Sequence, residues 1–348
     1  MTRGRSTGAL LVLASCGDPT QLPAGDAPPV PVADAASLDT TSPPEPPPGL
    51  VRWLIGNPAD VHTTSRAGVI LMGGGPDVDA AFAWQRDRIG GGDVVVIRTS
   101  GADGYNPYLY TDVGGVDSVE TLRVDSRALA DDAYVRWALD HAEAIFIAGG
   151  DQSTYVTAWA NTAVSSALSA AWQRGVVVGG TSAGCAFLGG VVYTAANGSV
   201  LSSEALDDPF DPHVTLAPAL ASPAVIRRVV TDTHFAQRDR MGRLLAFTAR
   251  AWVDGLAVGP LGLGVDEGTA LVIDETGLGR VVGQGSVYVL SPAAAPTTCA
   301  AGQPLRWSNV PMYELQAGDQ MSFPSGTTTA SPSTLSAGGG TLSPANPY

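Results

Sequence analysis

A serine within a run of small residues offers the clearest chemistry in the sequence. Gly180-Thr181-Ser182-Ala183-Gly184 follows the β-branched residues 176–178 and fits the pattern G-x-S-x-G. Where a strand turns sharply into a helix, this pattern exposes a nucleophilic serine, because small neighbours relieve the crowding of the turn. The same turn directs backbone N–H groups towards the atom that the serine attacks. The alternative is a glycine-rich turn in which Ser182 only caps a helix.

A serine nucleophile usually needs a histidine base, and one of the four histidines is well placed for that role. His234 lies in the segment 229–235, which reads as a strand with Asp232 on the same face. The alternative for such a residue is a buried core histidine. The others lie near a proline-rich segment, among polar residues of a predicted helix and in a predicted surface loop: His62, His141 and His213.

A carboxylate must orient the base, and the segment 262–273 offers two. Asp266 and Glu267 stand at a turn that enters a predicted strand, and alternation alone does not choose between them. The alternative is a polar turn between two strands with no catalytic role.

Basic residues are scarce, so a cluster of them is informative. The net charge is −14, and all 19 basic residues are arginine. Arg238, Arg240 and Arg243 follow His234 closely, which favours a pocket for substrate carboxylates over a solvated helix face. The acidic balance argues against a nucleic-acid partner, and the lack of lysine excludes a P-loop, a Schiff base and a Ser–Lys dyad.

Cofactor chemistry finds little support in the sequence. The three cysteines and four histidines lack zinc-ligand spacing, so we expect no metal and no other cofactor. The run Gly73-Gly74-Gly75 is not followed by a G-x-G-x-x-G pattern, and no acidic ribose partner is evident. A nucleotide site is therefore disfavoured.

The elements that must position these residues alternate between strands and helices. Continuous apolar strands that alternate with helices predict an α/β fold with a parallel sheet covered on both faces. Strands are predicted at 67–72, 94–97, 144–148 and 176–178, and helices at 79–89, 128–142 and 154–174. Sites in such sheets lie beyond the carboxyl ends of the strands. Three glycine-rich turns fall there: 73–75, 149–152 and 179–184.

The N-terminus has the composition of an export signal. Two arginines precede the apolar run 9–14, which is too short to span a bilayer. Leu13-Ala14-Ser15-Cys16 resembles the bacterial lipobox. We therefore expect residues 1–15 to be removed and Cys16 to carry a lipid that anchors the protein in the periplasm or at the cell surface. An ordinary signal peptide with an incidental cysteine is the alternative.

Domain boundaries follow from composition. Residues 16–50 are rich in proline and alanine and predict a semi-rigid linker, residues 51–323 carry the candidate site, and residues 324–348 predict a disordered tail. In an oxidising compartment Cys185 and Cys299 could pair, although a small buried thiol is the other reading of Cys185.

Four segments, in this order, resemble the cyanophycinase and aspartyl dipeptidase family of serine peptidases. They are Gly-Gly-Asp-Gln (149–152), Gly-Thr-Ser-Ala-Gly (180–184), Asp-x-His-Phe with the three arginines (232–243) and Gly-x-Gly-x-Asp-Glu-x-Thr-Ala-Leu (262–271). The similarity spans most of residues 66–290. It implies a parallel-sheet three-layer sandwich similar to class I glutamine amidotransferases, with a small C-terminal β extension.

The resemblance also implies roles for individual residues. Ser182 would be the nucleophile, His234 the base and Glu267 its orienter, an order that differs from that of α/β-hydrolases. The N–H groups of Gly150 and Ala183 would form the oxyanion hole. The positions that bind substrate in cyanophycinases, which cleave a β-linked aspartyl-arginine polymer to dipeptides, correspond here to Gln152, Asp232, Arg238, Arg240 and Arg243.

One departure from the family concerns the pocket. Cyanophycinases usually have Asp-Gln-His where this chain has Asp232-Thr233-His234, so strict β-Asp-Arg specificity is in doubt. We expect an exported serine peptidase that hydrolyses aspartyl or β-aspartyl peptides, the β-Asp-Arg polymer included, through an acyl-enzyme. A homodimer is left open. The alternative is a surface binding protein that keeps the fold but has lost turnover.

Overall fold

The computed structural model describes residues 42–348, whose strands form two sheets. The predicted signal peptide, the predicted lipidation site Cys16 and most of the predicted linker lie outside the described residues. The last part of that linker is described, and Leu50 packs against the core. No helix within residues 42–348 is both long and apolar enough to cross a membrane.

The strands are numbered along the chain. They are β1 (Val51–Gly56), β2 (Gly68–Met72), β3 (Asp93–Arg98), β4 (Ser118–Arg123), β5 (Ala144–Ile147), β6 (Val177–Thr181), β7 (Val191–Tyr193), β8 (Leu216–Pro218), β9 (Val229–Thr233), β10 (Leu261–Val265), β11 (Thr269–Asp274), β12 (Leu278–Gly283), β13 (Val287–Leu290), β14 (Trp307–Leu315), β15 (Gln320–Ser322), β16 (Thr327–Thr328), β17 (Ser333–Gly338) and β18 (Thr341–Ser343). The α-helices are α1 (Asp79–Ile89), α2 (Tyr105–Pro107), α3 (Arg127–Ala130), α4 (Ala133–His141), α5 (Gln152–Trp159), α6 (Ala163–Ala171), α7 (Ala183–Leu188), α8 (Ser202–Asp207) and α9 (Met241–Val253).

The first sheet has the order β1-β4-β3-β5-β6-β2-β11-β12-β15-β16, with a parallel centre from β4 to β2. Its central strands β2, β3, β5 and β6 are buried on both faces because both faces are covered. Val69 and Leu71 pack towards α3 to α7, whereas Ile70 and Met72 pack towards α1. This three-layer arrangement confirms the predicted α/β fold with a parallel sheet.

The second sheet has the order β18-β17-β14-β13-β10-β9-β7-β8, in which β9 runs parallel to β10 and β7. One face shares the core of the first sheet, and the other packs against α8 and α9. The turn between β10 and β11, residues 266–268, connects the two sheets. The carboxyl ends of β2 and β6 in the first sheet therefore adjoin those of β9 and β10 in the second.

The prediction of a disordered tail at residues 324–348 is wrong. Strand β17 pairs with β14, and β18 pairs with β17. Leu335 and Ala337 alternate along β17 and are buried in the hydrophobic core between the second sheet and helices α8 and α9. The Gly/Ser/Thr composition therefore conceals one apolar face. The final residue, Tyr348, packs against the rings of Phe235 and Tyr288.

Two predicted helices are each divided in two. The helix predicted at 128–142 becomes α3 and α4, because the Asp132 carboxylate accepts the Tyr134 N–H at 2.8 Å and begins a new helix. The helix predicted at 154–174 becomes α5 and α6, separated by Asn161 at φ 58°.

The suggested disulfide does not form. Cys185 and Cys299 both have free thiols. Cys185 is fully buried in α7, in the core that the two sheets share, whereas Cys299 packs against the core between the second sheet and helices α8 and α9. Burial raises the pKa of both thiols, to about 11 for Cys299. Both cysteines are therefore protonated at neutral pH, and the reading of Cys185 as a small buried thiol is correct.

Candidate active site

Ser182 lies between β6 and α7 with φ 52° and ψ −115°, a conformation that residues with side chains rarely adopt. The glycines beside it allow this turn. A Cβ on Gly180 would lie 2.5 Å from the carbonyl carbon of Gly184, and one on Gly184 would lie 2.2 Å from the oxygen of Ile147. The backbone N–H of Ser182 donates to the Met72 carbonyl at 3.1 Å. The turn thus holds the serine at the carboxyl edge of the first sheet.

His234 follows β9 at the carboxyl edge of the second sheet and has φ 48°. The predicted strand therefore ends one residue before the histidine. The imidazole Nε2 lies 2.8 Å from Ser182 Oγ, and Nδ1 lies 2.5 Å from Glu267 Oε1. The ring is buried apart from about a tenth of its surface. Serine, histidine and carboxylate thus form one hydrogen-bonded line across the two sheets.

The structure distinguishes the two acids of the turn between β10 and β11. Glu267 faces the histidine, whereas Asp266 accepts the backbone N–H groups of Ala236 at 2.9 Å and Ser286 at 3.1 Å. Asp266 thereby fixes two loops that border the site. The Glu267 N–H donates to the side chain of Gln237 at 3.0 Å, which fixes the orienting residue itself.

The surroundings of His234 suit a base. Burial lowers the pKa of the imidazole, the hydrogen bond that the ring donates to Glu267 opposes this change, and the charges of Arg238 and Arg240 lower the pKa further. At neutral pH the ring is consequently uncharged. Because a carboxylate can only accept, the proton sits on Nδ1, and Nε2 is left to accept the proton of Ser182.

Two backbone N–H groups predicted for an oxyanion hole border Ser182. Ala183 follows it directly, and Gly150 belongs to the loop after β5, in which a Cβ on Gly149 would lie 3.6 Å from Ser182 Cβ. Among the described residues, neither the Gly150 nor the Ala183 N–H donates to another group of the protein. The Tyr155 hydroxyl lies 2.9 Å and 3.0 Å from the carbonyls of residues 148 and 149 and holds this loop in place.

A cavity of about 450 Å³ opens beside Gly150 and contains the predicted arginine cluster. Its lining is mostly polar, with one aromatic ring. The lining residues used below are Gln152, Tyr193, Ser199, Arg238, Arg240 and Arg243. Thr233 is not among the lining residues; it is buried, and its carbonyl accepts from Arg240 at 2.7 Å.

Asp232 is not among the residues that line this cavity, and its expected contact with substrate stays a prediction. Its carboxylate binds the Arg243 guanidinium through two hydrogen bonds of 2.6 and 2.7 Å, and both side chains are about 96% buried. The same carboxylate also accepts the N–H of Thr233 at 2.9 Å. Asp232 therefore holds Arg243 and neutralises it.

The other two arginines of the cavity are less completely paired than Arg243. Within the described part of the chain, the Arg238 guanidinium makes no hydrogen bond or ion pair, and Arg240 lies 3.5 Å from the already paired Asp232. Burial lowers the pKa of Arg240 to about 10, with Asp232 opposing and the neighbouring arginines reinforcing the change. An anion in the cavity would relieve this crowding of like charges.

The residues that sequence reasoning missed support the site from behind. The run 73–75 lies against the histidine and the glutamate, and Tyr348 bonds to the loop that bears the arginines. For the run 73–75, the one signal in the sequence was a triple glycine that follows a strand. Within residues 42–348, no group of three or more histidine, cysteine or acidic side chains could hold a metal ion.

The family model named peptidase family S51 matches residues 109–281, which include Ser182, His234 and Glu267. Over these residues the chain is similar to peptidase family S51. This match agrees with the order of the four segments described above.

Curated proteins with similar sequences are cyanophycinases. The cyanophycinase of Trichormus variabilis is 30% identical over 211 residues, covering 59% of this chain and 65% of that protein. The cyanophycinase of a Nostoc species is 29% identical over 211 residues with the same coverage. The chain thus spans less than two thirds of the length of these relatives. A solved peptidase from an acI-B1 Actinobacterium is 20% identical with a TM-score of 0.49, covering 75% of this chain and 98% of that chain.

Proposed function

We propose that the protein is a serine peptidase that hydrolyses aspartyl or β-aspartyl peptides through an acyl-enzyme. The observation that carries this proposal is the line from Ser182 Oγ through the His234 imidazole to Glu267, with hydrogen bonds of 2.8 and 2.5 Å. Similarity to a peptidase family over residues 109–281 supports it. So does the burial of the imidazole, which keeps the base uncharged at neutral pH.

The geometry suits acyl transfer in two steps. His234 Nε2 takes the Ser182 proton as Oγ attacks the scissile carbonyl, and Glu267 stabilises the imidazolium that forms. The N–H groups of Gly150 and Ala183 donate to the oxyanion. The imidazolium then protonates the leaving amine, which leaves an ester on the serine. Water attacks that ester with His234 again as base, releasing the acid and restoring the hydroxyl.

The cavity suits a substrate that carries a carboxylate close to the scissile bond. Arg238 has no ion pair among the described residues, and Arg240 shares the Asp232 carboxylate with Arg243. Guanidinium groups bind planar carboxylates through paired hydrogen bonds. Gln152 supplies an amide on the same wall. The β-Asp-Arg polymer on which the named relatives act is one candidate substrate, and isoaspartyl dipeptides are the smaller candidates.

The test is whether the purified protein hydrolyses cyanophycin, isoaspartyl dipeptides and α-aspartyl peptides. Lysyl peptides are the negative control. We expect turnover of the aspartyl substrates and none by the Ser182→Ala variant. Turnover by Ser182→Ala would refute the nucleophile assignment. A fluorophosphonate probe separates the alternative of an inactive binding protein: absence of labelling at Ser182 in the folded wild type would favour it.

We further propose that the protein is exported and held at a membrane by a lipid on Cys16. The basic and apolar pattern of residues 1–16 supports this proposal. Expression with a Cys16→Ser control, followed by membrane fractionation and mass analysis of the N-terminal peptide, tests it. An unmodified N-terminal peptide in the wild type would contradict the anchor.

A further inference from the structure

Met72 and the run Gly73-Gly74-Gly75, which fits no nucleotide-binding motif, contact the backbone around every member of the triad. Three successive carbonyls accept three hydrogen bonds. The Met72 carbonyl accepts from Ser182 at 3.1 Å, that of Gly73 from His234 at 2.7 Å, and that of Gly74 from Gly268, the neighbour of Glu267, at 3.0 Å. One short segment at the end of β2 therefore fixes the nucleophile, the base and the turn of the orienter.

The same segment leaves room for the imidazole only because it lacks side chains. Gly74 has φ +91°, and a Cβ there would lie 2.5 Å from both Cε1 and Nε2 of His234. A Cβ on Gly75, at φ +71°, would lie 2.9 Å from the Cβ of Glu267. The ring thus rests on the backbone of Gly74, on the side that carries its reacting nitrogen.

This contact controls a degree of freedom that the hydrogen bonds leave open. Glu267 and Ser182 hold the two nitrogens of the ring, but both bonds tolerate a tilt about the line that joins those nitrogens. The backbone of Gly74 blocks that tilt on one side. Displacements of about 1 Å in a catalytic group lower rates by about 100-fold, so a wall of this kind matters for proton transfer.

We propose that Gly74 is a positioning residue that sets the depth and tilt of the His234 imidazole, and that residues 72–75 align the triad as one unit. The proposal rests on the proposed function, since it takes Ser182 and His234 to be the reacting pair. A side chain at position 74 pushes Nε2 away from Ser182 Oγ. The arginine cavity is lined by other segments, so substrate binding is unaffected.

The experiment compares Gly74→Ala with alanine variants of two glycines that also have positive φ but lie in open space. Gly255 (φ +67°) and Gly302 (φ +69°) have no atom within 4 Å of an added Cβ, so Gly255→Ala and Gly302→Ala carry the conformational penalty alone. The readouts are the rate of fluorophosphonate labelling at Ser182 and the values of kcat and KM. We expect Gly74→Ala to lose about 100-fold in labelling rate and kcat with KM unchanged. Both controls should react like the wild type.

The outcomes separate the two proposals. A wild type that is neither labelled nor active overturns the proposed function. A labelled wild type together with a folded Gly74→Ala of equal labelling rate overturns the positioning role alone. Equal losses in the two control variants would assign the loss to backbone strain and would also overturn it.

If circular dichroism shows that Gly74→Ala fails to fold, Gly75→Ala takes its place. An added methyl there presses on Glu267 and weakens its hydrogen bond to His234. Because that bond raises the pKa of the imidazole, the acid limb of the pH–rate profile for labelling, where the rate falls as His234 gains a proton, should move to lower pH. The maximal labelling rate should also fall. A Gly75→Ala profile identical to that of the wild type would contradict the proposal, since a purely structural role does not move the limb.

Discussion

Ser182 and His234 face each other at 2.8 Å although both have positive φ, 52° and 48°. Non-glycine residues in such conformations each cost on the order of 1–3 kcal/mol, which the surrounding hydrogen bonds must offset. Two strained residues in contact at the meeting point of two sheets mark a place where geometry is kept at the expense of stability.

We expect this strain to be measurable at Ser182. Ser182→Gly and Ser182→Ala both remove the hydroxyl and should both be inactive. Only the glycine relieves the backbone, so its free energy of unfolding should exceed that of the alanine variant by about 1 kcal/mol. Denaturant unfolding of the pair measures the difference. Equal stabilities would show that the turn is not strained.

The reaction should remain fast below the pH at which an ordinary histidine gains its proton. Burial disfavours the charged imidazolium and lowers the pKa of His234, and the reaction requires the neutral ring. The acid limb of kcat/KM should therefore lie below about pH 6.5. The Arg238 charge also lowers this pKa, so Arg238→Gln should move the limb to higher pH. A limb that stays in place in that variant would exclude His234 as the titrating group.

Replacing the orienter should act in the opposite direction. In Glu267→Gln the negative charge and the obligatory acceptor are lost, so the pKa of His234 falls further and the required tautomer is no longer enforced. A comparable loss of the orienting carboxylate in a serine protease lowers kcat by about 10⁴-fold. We expect a large fall in kcat with little change in KM. Asp266→Asn, which alters the neighbouring acid, should instead act mainly on stability.

The pairing of Asp232 with Arg243 separates two kinds of arginine in the cavity. Asp232→Asn leaves a buried guanidinium without its counter-charge and should lower the free energy of unfolding by about 3–5 kcal/mol. Arg238 is exposed and unpaired within the described residues, so Arg238→Gln should change stability by less than about 0.5 kcal/mol. The same Arg238 variant should raise KM for anionic substrates. Equal stability of the two variants would contradict this division of roles.

The hydroxyl of Tyr348 should affect substrate affinity from outside the cavity. It accepts the Met241 N–H at 2.8 Å and lies 3.1 Å from the Asp239 carboxylate, in the loop between Arg238 and Arg240. Tyr348→Phe should raise KM and lower the free energy of unfolding by about 1 kcal/mol, leaving kcat nearly unchanged. Tyr313→Phe is the matched control, because its hydroxyl makes no hydrogen bond to the described residues. An unaltered KM in Tyr348→Phe would remove the tyrosine from the binding loop.

Sequence patterns predicted the parts of the site that local rules govern. The small residues around Ser182 and the apolar strands beside it predicted the turn and the parallel sheet, and both are present. Alternation could not choose between Asp266 and Glu267, because their orientation depends on two other loops. The binding of Asp232 to Arg243 was equally hidden, since both lie in a segment in which three arginines offered partners.

The remaining errors have compositional causes. A tail rich in glycine, serine and threonine looked disordered because the two residues that bury it, Leu335 and Ala337, are few. The role of the run 73–75 stayed hidden because a sequence shows a missing side chain without showing what fills the space.

The catalytic line draws on distant parts of the chain, from Met72 to Gly268, and on both sheets. A partly folded form in which β11 has yet to join β2 lacks the pairing that places the turn of Glu267 beside Gly74. Contacts so far apart in sequence form late and slowly. During refolding, fluorophosphonate labelling of Ser182 should consequently appear after compaction and secondary structure are complete. The chain would then be inactive for as long as its own loops are accessible to proteolysis.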